Sequence, residues 1–302
     1  MVDKACLIFN PVAGQGNPDQ ALEQIRKILE IDIELDIRLT TEVKDAGQLT
    51  KEALEHGAEA IIASGGDGTL SSAATALVGT NVPLGVIPRG TANAFAAALG
   101  IPNQIEAACR TILARNIKSV DTARCNGKPM VLIAGIGLEA DMVENASREA
   151  KNRWGILAYV MSGIQQLREL EQFEAIIEAD GDTFSVNAAA ITVANAAPPS
   201  SILAQGPAGI AFDDGLLDLT ILAPENWTGV IAASYHLLHT ALREEAAERE
   251  DIGYLQARRI KLTTNPPRKF TLDGEIIGTT PIEIECVPHG LTVFVPVEKD
   301  KS

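Results

Sequence analysis

At 302 residues the chain reads as two domains of roughly 150 residues each, and 46% apolar with 22% charged residues places it near the soluble globular average. That composition excludes collagen, coiled coil and wholesale disorder, and a chain this long buries about three quarters of its extended surface without disulfide or metal staples. With 25 Lys and Arg against 40 Asp and Glu, the formal net charge of −15 excludes a general nucleic-acid binder and a polybasic membrane anchor, both of which need clustered cations.

The start, Met1-Val2-Asp3-Lys4, leads directly into a short apolar run without the basic flank, longer apolar stretch and cleavage site of a signal peptide. Four scattered cysteines, at 6, 109, 125 and 286, fit neither a CxxC metal site nor a disulfide framework. They read as reduced thiols in a cytosol.

Apolar strand runs alternate with helical patterns over the first 115 or so residues: Ala5 to Asn10, Ile31 to Thr40, Ala60 to Ser64 and Leu84 to Ile87. This predicts a parallel α/β layer. Asn17-Pro18-Asp19 supplies a cap, a proline and a first-turn acid for one helix, and Asp45 precedes another that ends near His56-Gly57. Loops after parallel strands gather along one edge, where ligands bind.

Beyond Ser119 the signals are those of hairpins: Asn126-Gly127, then Asp180-Gly181 between Phe173 to Glu178 and Phe184 to Val193. The longest uncharged span, Thr183 to Phe212, contains Asn187, Asn195, Pro198, Pro199 and Gln205, so it reads as strand plus loop, and any lipid contact is expected to be peripheral. Helical stretches are expected from Asn152 to Leu170 and from Glu225 to Glu250, and four short strands from Arg259 to Pro296. The expected architecture is a doubly wound, Rossmann-like α/β domain over 1–120 and a β-rich sandwich over 121–297, with the last strand returning to the first domain.

The segment most suggestive of chemistry is Ile61 to Leu70, an apolar strand breaking into Gly65-Gly66-Asp67-Gly68-Thr69 before a helix. Glycines let the backbone approach a phosphate, the helix start offers unpaired N–H groups, and Asp67 can hold Mg²⁺ against phosphate oxygens. A tight turn with Asp67 as a simple cap is the alternative. Two more glycine-containing polar loops leave the same edge, Asn10 to Gly16 and Pro88 to Asn93, and three together favour a nucleotide site over independent turns. His236 and His239 read as a helix-surface pair, and Trp154, Tyr159 and Trp227 as packing residues.

Asn10-Pro11-Val12-Ala13-Gly14, Gly65-Gly66-Asp67-Gly68-Thr69 and Pro88-Arg89-Gly90-Thr91-Ala92-Asn93 occur in the order and spacing of the diacylglycerol-kinase-type catalytic domain, particularly the soluble bacterial lipid kinases, which the chain resembles. The likeness continues through Gly135 to Ala140, Trp154 to Tyr159, Asp213 to Leu219 and Leu272-Asp273-Gly274-Glu275. The Gly65-Gly66-Asp67-Gly68-Thr69 motif alone is shared with NAD kinases and resembles part of phosphofructokinase sites; its co-occurrence with the late Asp-Gly-Glu singles out the lipid kinases.

The resemblance implies a first domain of the NAD kinase and diacylglycerol kinase type. It implies ATP contacts at Asn10, Pro11 and Gly14, at Thr40, through Gly66, Asp67, Gly68, Thr69, Leu70, Ser71 and Ser72, and at Thr91, and we include Gly65 and Asn93 from the same loops. Its proton acceptor falls on Glu275, and a structural Mg²⁺ site on Asp214 with the carbonyls of Ala211 and Leu216. The implied activity is ATP- and Mg²⁺-dependent phosphorylation of a lipid hydroxyl, by a cytoplasmic protein meeting its substrate at the inner membrane face. Asp273 and Glu275, two apart, would share a strand face or sit at a turn, the alternative being a hairpin whose acids face water.

Two departures count. Ser71-Ser72 stands where many members have Asn-Glu, and Ala94 where many have aspartate, which removes carboxylates near the expected phosphates. A soluble-substrate kinase of the NAD kinase kind and a catalytically weak lipid-binding or regulatory protein are the competing readings.

Overall fold

A strand covered by helices on both faces needs no polar alternation, and the inner strands of the N-terminal sheet follow that rule. In this computed structural model, which describes residues 3–137, 172–198, 201, 204, 210–223, 236, 240 and 249–297, β1 (Lys4–Phe9) is buried after its first residue. Asn17 then caps α1 (Pro18–Leu29), its side chain accepting from the Asp19 and Gln20 amides. The second strand, β2 (Glu34–Leu39), starts later than the apolar run from Ile31 suggests, because the Asp32 and Ile33 amides still bond the Leu29 carbonyl and close the helix end. An Asp45–Gln48 capping box opens α2 (Ala46–Glu55), and Gly57, with φ +77°, follows its C-cap His56.

Two fully buried strands follow, β3 (Ala60–Gly65) and β4 (Leu84–Pro88), separated by α3 (Asp67–Leu77) and followed by α4 (Ala94–Ala98) and α5 (Ile105–Leu113). They form a parallel sheet in the order β2-β1-β3-β4. The chain winds outward from β1 in both directions, so the crevice of a doubly wound sheet falls beyond the carboxyl ends of β1 and β3. One compact unit comprises Met1–Val120 and His289–Ser302, and the other Asp121–Pro288.

The second unit is antiparallel. It holds most of β5 (Ile117–Cys125), then β6 (Lys128–Met130), β7 (Ile133–Gly137), β8 (Phe173–Ala179), β9 (Asp182–Ala188), β10 (Ala190–Ala194), β11 (Leu217–Leu222), β12 (Ile252–Ala257), β13 (Arg259–Asn265), β14 (Lys269–Leu272) and β15 (Glu275–Thr279). One sheet runs β12-β11-β10-β7-β14-β15; in the other, β13 lies between β8 and the first part of β16 (Ile282–Phe294), with β9 at the edge. Inward residues of both, among them Ile136, Phe173, Val193, Leu219, Ile260 and Ile284, share one core, which makes this unit a β-sandwich.

The final strand is 13 residues long rather than short. Its first half alternates in burial against β13, and its second half, Leu291 to Phe294, enters the first unit, where Val293 pairs with Leu84. Among the described residues no helix is long and apolar enough to cross a membrane. The expected helical stretches 152–170 and most of 225–250, with Trp154, Tyr159, Trp227 and His239, lie outside the described residues, as do Leu138 to Ala140.

Candidate functional site

The Gly65 to Thr69 turn is shaped by what its glycines lack. A Cβ on Gly65 would lie 2.5 Å from the Thr69 side chain, and one on Gly90 would lie 2.7 Å from the Gly66 Cα, so the β3 and β4 loops cross backbone against backbone. Gly66 is the N-cap of α3 and offers no side chain, leaving the helix start without a side-chain cap. The Thr69 and Leu70 amides return to the Gly66 carbonyl. The amides of Asp67 and Gly68, ahead of them, are of the kind that bind anions at a helix start. Among the described residues a Cβ on Gly68 would meet nothing within 4 Å.

The loop after β1 is tied to this turn. Asn10 donates from Nδ2 to Thr69 Oγ1 at 2.8 Å, accepts the Val12 amide on Oδ1 at 3.1 Å, and donates its own amide to the Ser64 carbonyl at 2.9 Å. Gly14, with φ +86°, packs so closely on the Arg89 carbonyl that a Cβ would lie 2.6 Å from it. Thr40, half-buried after β2, donates its amide to the Phe9 carbonyl at 3.0 Å and so stands beside the same edge. Pro11 is half-buried and Thr91 exposed on that edge.

Asp67 is not the cap of its own helix. It occupies the first position of α3, and its Oδ1 accepts the Phe95 amide at 3.2 Å, which caps α4 instead. Among the described residues its other carboxylate oxygen has no protein partner and remains available to a cation. Several other expected contact residues face inward. Leu70 is fully buried; Ser71 Oγ donates to the Asp67 carbonyl; Ser72 Oγ accepts the Gly47 amide at 3.0 Å, serving α2. Asn93, 6% exposed with φ 50°, accepts the Gly90 amide on Oδ1 at 2.7 Å and donates from Nδ2 to the Gly90 carbonyl and Asn103 Oδ1. Its polar atoms hold the turn shut.

The sequence pattern gives Arg89 no role of its own within the Pro88 to Asn93 loop. Its Nη1 donates to the Asn10 carbonyl at 3.1 Å and its Nη2 to the Ala13 carbonyl at 2.9 Å, while the guanidinium carbon stands 4.3 Å from the Phe9 ring centroid. Burial lowers its pKa.

In the sandwich unit, Asp273 and Glu275 part company. Asp273 (φ 49°) and Gly274 (φ 87°) are the two left-handed residues of a type I′ hairpin turn, so strand alternation does not apply to them. Asp273 folds inward: its carboxylate accepts the amides of Val131, Leu132 and Ile133 at 2.8–3.0 Å. Burial pushes its pKa up to about 6, the three amides pull it down, and the Glu275 charge adds to the rise. Glu275 opens β15 and is exposed; among the described residues no hydrogen bond or ion pair engages its carboxylate.

The Ala211 to Leu216 loop is held by Asp121, whose Oδ2 accepts the Gly215 amide at 2.7 Å and whose amide bonds the Phe212 carbonyl at 2.7 Å. Asp214 is exposed; its Oδ1 accepts the Leu216 amide at 3.0 Å and its Oδ2 meets Gln256 Nε2 at 3.3 Å. Behind it, buried Asp218 receives Tyr254 Oη and Gln256 Nε2 on one oxygen and among the described residues leaves Oδ2 without a partner, and burial pushes its pKa up to about 6. Among the described residues no three His, Cys, Asp or Glu side chains cluster as metal ligands. By their chemistry the Asp214 carboxylate, the Ala211 and Leu216 carbonyls and the Asp218 oxygen are the oxygen donors that a hard divalent cation takes.

A family profile described as the diacylglycerol kinase catalytic domain matches residues 4–125, and one described as the YegS C-terminal NAD kinase beta sandwich-like domain matches residues 132–295. An uncharacterized protein of Synechocystis sp. is 50% identical over 97% of this chain and 70% of its own length. Diacylglycerol kinase of Bacillus subtilis is 32% identical over 98% of this chain and 97% of its own. A crystal structure described as a diacylglycerol kinase from Bacillus anthracis superposes with a TM-score of 0.77 at 26% identity, covering 97% of each chain.

Proposed function

This chain belongs to the diacylglycerol kinase catalytic-domain family, and we propose that it is an ATP-dependent lipid kinase that passes the γ-phosphoryl group to a lipid hydroxyl. The observation that carries the reading is the fused loop cluster of the first unit: three strand ends joined by Asn10, Thr69 and Arg89 around an uncapped helix start, with one Asp67 oxygen left over. Backbone amides of Asp67 and Gly68 would receive phosphate oxygens, and Asp67 would hold Mg²⁺, which supplies charge neutralisation when bound. Phosphoryl transfer passes through a loose transition state, so alignment of the acceptor counts for more than early proton removal. The exposed Glu275 carboxylate would accept and aim the acceptor proton, and Asp273, committed to three backbone amides, would fix the turn that presents it. A cation held by Asp214 with the Ala211 and Leu216 carbonyls would stiffen its loop and take no part in the transfer.

The test is a labelled-ATP assay over diacylglycerol, phosphatidylglycerol, a sphingoid base and NAD, with and without Mg²⁺. A lipid product that requires Mg²⁺ supports the proposal, and phosphorylated NAD as the sole product rejects it. On the best acceptor, Asp67→Asn and Glu275→Gln should each lower turnover roughly a hundredfold or more. Near-normal turnover in both variants would remove these residues from their roles. The engagement of Ser72 by the Gly47 amide, in place of a carboxylate near the phosphates, favours one second reading, a lipid-binding protein with weak turnover. Lipid binding without ATP consumption across the panel would select it.

A further inference from the structure

Arg89 stands at the carboxyl end of β4 and holds the loop that follows β1, and its role deepens the nucleotide reading above, on which it rests. Both terminal guanidinium nitrogens are committed to carbonyls of one turn, those of Asn10 and Ala13. In a trans peptide the N–H points opposite to the C=O, so fixing the Ala13 carbonyl on Arg89 turns the Gly14 amide away from the guanidinium. The contact continues along the backbone: the Arg89 amide donates to the Gly65 carbonyl at 2.7 Å, and the Arg89 carbonyl fills the space a Gly14 Cβ would need. One residue therefore ties the loop after β1 to the carboxyl ends of β3 and β4.

Its charge is also unbalanced. Arg89 is half-buried, and among the described residues no carboxylate lies within ion-pair distance of its guanidinium. Its partners are two neutral carbonyls and the face of Phe9. A cation removed from water in this way is stabilised by an anion arriving at the same loops, and the nearby helix start with no side-chain cap favours the same charge. We propose that Arg89 is the positioning residue of the nucleotide site: it holds the Asn10 to Gly14 loop in the phosphate-accepting shape and biases the site toward polyphosphate, without itself touching the nucleotide.

The experiment measures MgATP binding by calorimetry to the full chain as wild type, Arg89→Ala and Arg89→Lys, with tripolyphosphate and adenosine as separate competitors and melting temperatures recorded in parallel. Losing two charge-assisted hydrogen bonds should weaken MgATP about tenfold or more in Arg89→Ala, with a matching loss for tripolyphosphate and little change for adenosine. Lysine keeps the charge but cannot span two carbonyls as a fork, so Arg89→Lys should be intermediate. A merely structural role would lower the melting temperature and the binding stoichiometry but leave the ratio of tripolyphosphate to adenosine affinity unchanged, and that result overturns the proposal. If Arg89→Ala does not fold, an Arg89→Lys protein that binds like wild type overturns it equally. A wild type that binds no MgATP overturns the nucleotide reading and this proposal with it, whereas binding matched by both variants overturns the proposal alone.

Discussion

Gly68 is a glycine that nothing among the described residues demands. It sits at the second position of α3, its φ is not in the left-handed region, and a side chain there would enter open space. Alanine is the better helix former by about 1 kcal/mol. Gly68→Ala should therefore melt at the same temperature or higher while binding MgATP more weakly and turning over up to about a hundredfold more slowly, since a methyl group would stand where phosphate approaches. Calorimetry beside a melting curve separates the two effects, and unchanged binding would leave this glycine without a ligand-side reason. Asp67, Gly68 and Asn10 stand out in the sequence because glycine, amide and acid in a strand-to-helix turn have few other uses. The commitments of Ser72 and Arg89 do not, because each is set by a partner on another element, Gly47 and the Asn10 and Ala13 carbonyls, and that of Asn93 does not because closing its own turn on Gly90 and facing a ligand use the same residue type.

At the level of elements, the Asn-Gly and Asp-Gly signals are turns for the reason their chemistry gives: Asn126, Asp180 and Asp273 all take left-handed φ ahead of a glycine with positive φ. What their spacing conceals is a second use of the same side chains. Asn126 accepts the Glu283 amide, Asp180 those of Arg258 and Arg259, and Asp273 those of Val131 to Ile133, so each turn pins the backbone of another segment. The two aspartates should titrate in opposite senses. Backbone amides hold Asp180, which is exposed, below its ordinary pKa, so its contribution is present above about pH 4 and is lost as pH falls. Burial lifts Asp273 to about 6, so its contribution is complete below about pH 4 and is lost as pH rises through about 6. Melting temperatures between pH 3 and 7 should show Asp180→Asn losing its deficit toward wild type at the acid end. Asp273→Asn, destabilised by about 1–3 kcal/mol because its amide must face a backbone donor, should narrow its gap as pH rises from 4 to 6. Parallel curves for all three proteins would refute both assignments.

Over the whole molecule, the four cysteines are free and buried, and burial pushes their pKa values up to about 11 for Cys125 and about 12 for Cys6, Cys109 and Cys286. A thiol-specific reagent should react slowly with the native protein and find four thiols after denaturation; rapid native labelling would contradict the burial. The formal charge of −15 should repel anionic bilayers, so vesicle binding is expected to be stronger on neutral than on phosphatidylserine-rich vesicles at low salt, with the difference shrinking within a shorter Debye length. Equal binding at low salt would point to a local cationic patch outweighing the total.

The last strand carries a consequence for synthesis. β16 supplies Val293 beside Leu84, and Val295 and Pro296 accept from Asn116, so the first unit borrows its closing piece from the far end of the chain. On the ribosome, the glycine-rich loops emerge early, yet β4 keeps an unsatisfied edge while more than half of the protein is still to be translated. A nascent chain stalled inside the sandwich would hold every residue of the three glycine-containing loops and still lack the strand that completes their sheet, which makes that interval the time when a chaperone or an errant neighbouring strand has its best access.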